Sequence, residues 1–151
     1  NPFSFKHIIV DLENQEEQEV YGILTFPEDQ DLNKKYPLII GVAGSLGWRE
    51  HHYEFLEMYR EMGIATLELK SFKSRGIEST VGTQIEVTTA MMILDSYRAL
   101  DAVSNHSKID ISKVAITGWS LGGGVSLLSG WIPLKKAINP KNNFIAHLAK
   151  I

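Results

Sequence analysis

Lys113-Val114-Ala115-Ile116-Thr117-Gly118-Trp119-Ser120-Leu121-Gly122-Gly123-Gly124 is the stretch whose reading decides the fold. Residues 113–117 form a short apolar, β-branched run that reads as a strand, and residues 121–130 read as a helix despite three early glycines. Between them lies Gly-x-Ser-x-Gly, with Ser120 at its centre. A serine held between a strand and a helix needs a very sharp turn. Side chains two residues to either side would collide there, which accounts for Gly118 and Gly122. The helix behind it aims backbone N–H groups at the serine, and the N–H of Leu121 becomes a candidate donor to an oxyanion. At average glycine and serine frequencies the bare pattern arises in roughly one chain of this length in twenty. The strand in front and the helix behind make chance far less common, and a mere packing turn does not need four glycines around one serine.

Working outward, Pro37-Leu-Ile-Ile-Gly-Val-Ala43 is a continuous apolar run, suited to a strand buried on both faces of a parallel sheet. Gly44-Ser45-Leu46-Gly47 follows as a tight turn, where Ser45 or Leu46 could supply a second oxyanion donor through its backbone N–H. Residues 49–62 carry apolar side chains near helical spacing and Gly63 ends that helix. Residues 64–69 are the next strand, and residues 71–82 a polar loop containing glycine. A long helix is expected from about Gln84 to Val103, with Val87, Met91, Leu94, Tyr97, Leu100 and Val103 as its apolar stripe.

Upstream, residues 5–10 and 19–26 read as short strands joined by an acidic turn, and Pro27 to Lys35 as a polar loop. Downstream, Pro133 and Pro140 punctuate a loop, and residues 144–151 begin a further strand. Early strands followed by regular alternation predict an α/β sheet, parallel after an antiparallel start.

The 151 residues fit a single domain, spanning residues 1–151. With 44% hydrophobic and 22% charged residues and a formal net charge of −3, the composition is globular and offers no basic footprint for nucleic acid. No apolar run is long enough to cross a bilayer as a helix. The absence of cysteine excludes disulfides, thiolate metal sites and a cysteine nucleophile. The chain begins at Asn1 rather than Met and stops inside an apolar stretch, so both ends read as cut and the sequence leaves the compartment open.

From Pro37 to Gly124 the chain resembles the dienelactone hydrolase-like branch of the α/β-hydrolases. The resemblance rests on the Gly44–Gly47 turn, Leu67-Glu-Leu-Lys-Ser-Phe72, Arg75-Gly76 with Ser79-Thr80, Asp95-Ser-Tyr-Arg-Ala-Leu100, Asp110-Ile-Ser-Lys-Val114 and the turn around Ser120. It implies the α/β-hydrolase fold, a mostly parallel sheet with helices on both faces and with its C-terminal strands missing here. It also implies a serine hydrolase of carboxylic esters or related acyl bonds, needing neither metal nor organic cofactor. The partner would be a small-molecule acyl substrate. There are departures. Ala43 stands where a histidine often precedes the oxyanion glycine, Lys70 where an aspartate often precedes Ser-Phe, and serine replaces the cysteine nucleophile of dienelactone hydrolases themselves.

In that fold the triad acid and histidine follow the nucleophile. Downstream of Ser120 there is no Asp or Glu, and the one histidine, His147, lies in the last strand. The acid and the base are therefore expected beyond Ile151, and residues 1–151 alone are expected to be inactive and poorly soluble. His51 and His52 read as an exposed helix start, His7 as an edge-strand residue, and His106 as lying at the far end of the Ser120 strand. Asp95 and Asp101 read as solvent-facing, Glu57 and Glu61 as a solvated face, and Arg75 as a residue that orders its loop. Two other readings remain open: a Rossmann-like dinucleotide-binding domain, with Gly41, Gly44 and Gly47 after a strand and Glu68 ending the next, and a non-catalytic truncated relative.

Overall fold

A computed structural model describes residues 2–28 and 31–151; Asn1, and Asp29 and Gln30 of the expected Pro27–Lys35 loop, lie outside the described residues. A five-stranded sheet runs in the order β1-β3-β2-β4-β5. Its strands are β1 (Gly22–Thr25), β2 (Tyr36–Val42), β3 (Ala65–Leu69), β4 (Ile109–Trp119) and β5 (Ala146–Lys150). The short edge strand β1 pairs antiparallel with β3, and every other pairing is parallel. The apolar run at 37–43 is the middle strand β2, nearly all of it buried, with Ile40 fully so.

The helices are α1 (Phe5–Asp11), α2 (Glu50–Glu61), α3 (Thr89–Val103), α4 (Leu121–Leu128) and α5 (Ile132–Ile138). They cover both sides of the sheet. Neighbouring strand residues point to opposite faces. At the end of β4, Gly118 faces α4, whereas Trp119 packs its ring against His52 and Phe55 of α2.

Two expected elements are corrected. Residues 5–10 form the helix α1 rather than a strand. Ile8 is buried with Phe5 and Leu12 packed partly beneath it, a spacing of three and four, while Ile9 and Val10 are exposed. A strand would bury every second residue; here packing against α5 overrides the β-propensity of the run. His7 is therefore no edge-strand residue but helical, its Nδ1 accepting the Ser4 N–H at 2.9 Å. The expected loop around Pro133 contains α5. Proline is tolerated in the first helical turn, where its missing N–H has no partner to lose. Leu134 and Ile138 bury one face, and Asn139 ends the helix at φ 50°.

Two boundaries also move. The long helix starts at Thr89, capped by the Thr88 side chain accepting from Met91 N–H, rather than at Gln84. Its buried face is wider than the expected stripe and takes in Ala90, Met92, Ile93 and Ser96. β4 extends four residues upstream of Lys113, where Ile109 pairs with Tyr36. On this side Tyr97 ties α3 to α4, its hydroxyl donating to the Ser129 carbonyl at 2.6 Å, and burial pushes its pKa up to about 12.

Asp95 does not face solvent. It forms a two-pronged ion pair with Arg75, at 2.7 and 3.0 Å, the side chains 11% (Arg75) and 7% (Asp95) exposed. Arg75 also donates to the Ser71 carbonyl at 3.0 Å and to Gln18 Oε1 at 2.6 Å. It thereby joins the loop after β3 to α3 and to the N-terminal segment. Arg75→Met leaves a carboxylate buried without a counter-charge and is expected to cost about 3–5 kcal/mol. The Arg75→Met/Asp95→Leu double variant is expected to cost less than either single loss. Urea denaturation of the four proteins of the cycle checks both statements.

Candidate active site

Ser120 caps β4 and precedes α4 with φ 51° and ψ −113°. For a residue with a Cβ this backbone is strained, at a cost of order 1–3 kcal/mol. Hydrogen bonds and close packing hold it there. The Ser120 N–H donates to the Lys150 carbonyl at 2.7 Å, and the Ser120 carbonyl accepts from Gly124 N–H at 3.1 Å. The residue itself is exposed at the end of the sheet.

The surrounding glycines are required to different degrees. A Cβ on Gly118 would strike the backbone of Gly122, and a Cβ on Gly122 would strike the Val42 carbonyl at the end of β2. One on Gly123 would lie 2.9 Å from the Lys150 carbonyl oxygen. Gly124, by contrast, has nothing within 4 Å of that position, so it is not demanded by packing. Leu121 opens α4, and the first N–H groups of a helix lack intrahelical acceptors.

The Gly44–Gly47 turn abuts the same serine. A Cβ on Gly44 would lie 3.1 Å from the Trp119 carbonyl oxygen and 3.5 Å from Ser120 Cβ. Gly47 N–H donates to the Gly44 carbonyl at 3.0 Å, which makes Ser45 and Leu46 the two central residues, half-buried and exposed respectively. The Ser45 carbonyl accepts from Thr80 N–H at 2.8 Å and from the Ser79 hydroxyl at 3.1 Å. Ser120, Leu121, Ser45 and Leu46 thus belong to two adjoining turns at one end of the sheet.

The histidines His147 and His106 and the acids Glu57 and Glu61 lie elsewhere or are occupied. His147 pairs with Ile116, four residues before Ser120, and its Nδ1 is bonded to Ser126 O (2.8 Å) on α4 and to Ser129 Oγ (2.9 Å) just after it. His106 packs on Phe26 before β4 begins. Glu57 and Glu61 are exposed. Among the described residues no group of three His, Cys, Asp or Glu side chains could hold a metal ion. Among them, too, no helix is long and apolar enough to cross a membrane.

Beneath the serine lies an aromatic cluster that sequence patterning did not reveal. The buried Trp119 ring meets Trp48 (5.9 Å), His52 (4.6 Å) and Phe55 (6.0 Å) between centroids. Lys150 Nζ lies 4.9 Å from the Trp119 centroid and 4.4 Å from that of Phe55, and donates to Tyr59 Oη at 2.7 Å and Thr117 Oγ1 at 3.2 Å. Cation–π attraction is strongest where water is excluded. His52, expected at an exposed helix start, is 3% exposed, and its Nδ1 accepts the Arg49 N–H at 3.0 Å. Burial, then the charges of His51 and Arg49, lower its pKa from 6.5 to about 4. The signal that could have placed it is the helical offset to Leu56, four residues on, which shares its buried side.

The comparisons with known proteins agree with this architecture. A family model described as acetyl xylan esterase matches residues 89–151, from α3 through β5. Est1E from Butyrivibrio proteoclasticus, solved with ferulic acid, is 21% identical with a TM-score of 0.57, over 73% of this chain and 42% of that one. A dienelactone hydrolase described as putative from Klebsiella pneumoniae is 17% identical (TM-score 0.55; 74% and 55% covered). An acetyl xylan esterase from Paenibacillus sp. R4 is 22% identical (TM-score 0.54; 73% and 40% covered). No curated protein matches the sequence significantly. The chain carries the α/β-hydrolase fold and is similar to its dienelactone hydrolase-like and acetyl xylan esterase members. It spans 40% to 55% of the lengths of these three solved structures.

Two predictions follow from the packing. Gly122→Ala is expected to prevent soluble expression or to destabilise by more than about 3 kcal/mol, because backbone must move. Gly124→Ala, in a helix with open space, is expected to stabilise by about 0.5–1 kcal/mol. Thermal unfolding of the two variants distinguishes them. For His52 the native pKa lies below the unfolded one, so the unfolded state binds more protons between pH 6.5 and about 4. Its contribution to stability is complete above pH 6.5, declines as the pH falls through that window and is flat below it. His52→Gln is expected to lose less stability than the parent between pH 7 and pH 4, as read by melting temperature against pH.

Proposed function

We propose that this chain is the nucleophile-bearing part of a serine hydrolase acting on carboxylic esters or related acyl bonds. The observation that carries the reading is a non-glycine residue at φ 51° on the junction of a parallel strand and a helix, with glycine backbone packed against it. Strain at an exposed serine is what a nucleophile requires to project its hydroxyl above the sheet.

Ser120 Oγ attacks the acyl carbon and its proton passes to a histidine, oriented by an aspartate; both are contributed from outside residues 1–151. The carbonyl oxygen becomes an oxyanion, held by the Leu121 N–H and by that of Ser45 or Leu46. Collapse expels the alcohol, which takes the proton back from the histidine, and leaves an acyl-serine that water then hydrolyses. The acetyl xylan esterase model and the ferulic acid bound to Est1E support an ester of a small carboxylic acid as the substrate class. The solved structures similar in fold are esterases and hydrolases, which supports the hydrolase reading over the dinucleotide one. Residues 1–151 alone, lacking acid and base, are inactive on this reading.

In the full-length protein, Ser120→Ala is expected to lower p-nitrophenyl acetate hydrolysis by at least about 10⁴-fold. A fluorophosphonate probe should label the parent at Ser120 and leave the variant unlabelled, as mass spectrometry of the peptides reports. Unchanged hydrolysis by the variant would overturn the assignment of Ser120 as nucleophile, and a parent with neither hydrolysis nor labelling would favour a non-catalytic relative.

A further inference from the structure

One peptide of the turn beside Ser120 is not held by the hydrogen bond that closes the turn. In a four-residue turn closed by a bond between its ends, the central peptide can rotate by roughly half a turn without breaking that bond, which converts a type I turn into type II. Here that peptide joins Ser45 to Leu46. Its rotation would turn the Leu46 N–H away from its present direction. The rotated form needs a left-handed residue at position 46, and Leu46 does not adopt one: among the described residues the non-glycine positions with positive φ are Ser120 and Asn139.

The present orientation is held from outside the turn. Thr80 N–H and the Ser79 hydroxyl both reach the Ser45 carbonyl, at 2.8 and 3.1 Å. The direction of the Ser79 proton is determined, because its oxygen accepts from Val81 N–H at 3.2 Å and a carbonyl can only accept. In a planar trans peptide the N–H points opposite to the C=O. Fixing the Ser45 carbonyl towards residues 79–80 therefore fixes the Leu46 N–H in the opposite direction. The contact is close along the chain as well, for a Cβ on Gly47 (φ 78°) would come 2.7 Å from the Glu78 carbonyl oxygen. The loop that carries Ser79 is in turn anchored by the Arg75–Asp95 pair.

We propose that Leu46 N–H is the turn's oxyanion donor and that Ser79 is a positioning residue for catalysis: its hydroxyl, together with the Thr80 N–H, locks the Ser45–Leu46 peptide so that this donor is set before substrate arrives. The inference rests on the serine hydrolase reading and deepens it. Ser79 acts through the Ser45 carbonyl and does not touch the reacting atoms. Releasing the lock makes the donor fluctuate, so the loss falls on the transition state and not on ground-state binding.

The test uses the full-length protein and p-nitrophenyl acetate. Ser79→Ala is expected to lower kcat about 10- to 100-fold, less than outright removal of an oxyanion donor, with KM within about twofold. Ser79→Thr, which keeps the hydroxyl, should restore most of the rate, and inactivation by a fluorophosphonate should slow in parallel with kcat. An independent pair avoids the loop altogether: Leu46→Gly admits the rotated peptide and should lose more kcat than Leu46→Ala, which keeps a Cβ and does not. A parental kcat in Ser79→Ala, a loss that Ser79→Thr does not restore, or equal rates for the two Leu46 variants overturns the inference. Ser120→Ala, run alongside, separates the levels. If it is inactive while Ser79→Ala is unimpaired, this inference alone fails; if it is active, the serine hydrolase reading fails and takes the inference with it.

Discussion

Gly122 lies against the Val42 carbonyl at the end of β2, and Gly118 against the backbone of Gly122, and the site follows from these two approaches. They bring the start of α4 down onto the end of the middle strand, closer than any side chain allows. Once the helix is that close, the residue between strand and helix has to turn through a left-handed backbone. The following N–H groups emerge beside the turn that leaves β2. The parallel pairing of β2 with β4, Val42 opposite Gly118, puts the ends of both strands at the same height. The Gly44–Gly47 turn and Ser120 are neighbours because of that register, although more than seventy residues separate them in the chain.

Charge is used sparingly and mostly to fasten irregular backbone. Arg75 and Asp95 tie the loop after β3 to α3, Glu68 and Lys70 pair at the end of β3, and Lys150 is enclosed by three aromatic rings on the face opposite α4. Each lies near a segment that neither helix nor sheet bonding would hold in one conformation. Two-pronged arginine–carboxylate geometry suits this, since it fixes direction as well as distance.

The parts of the fold legible in the sequence were those whose burial follows one simple period. β2 reads as a continuous apolar run and is covered on both faces, and the turn around Ser120 announces itself through steric need at Gly118 and Gly122. α1 and α5 were misread for opposite reasons. In the first, β-branched residues took a helical conformation because their partner is another helix, a long-range fact. In the second, a proline that looked like a breaker occupies the first turn, where it breaks nothing. The site residues showed the same divide. Ser120 and the two glycine turns are local features, whereas the burial of Asp95 and His52 depends on which residues arrive from distant elements, Arg75 in one case and Trp119 in the other. Ser79 was visible as part of a motif, but its grip on the Ser45 carbonyl spans thirty-four positions and no local pattern encodes it.

The backbone of Ser120 also bears on how such a chain could change over generations. Glycine would adopt φ 51° without penalty, so one substitution would relax this strained backbone while deleting its hydroxyl. Folding by itself thus pulls this position towards glycine, and retention of a serine here opposes that pull. On the serine hydrolase reading, a lineage that ceased to need the hydroxyl would have a stabilising exit open to it, at a residue where stability and the proposed chemistry make contrary demands.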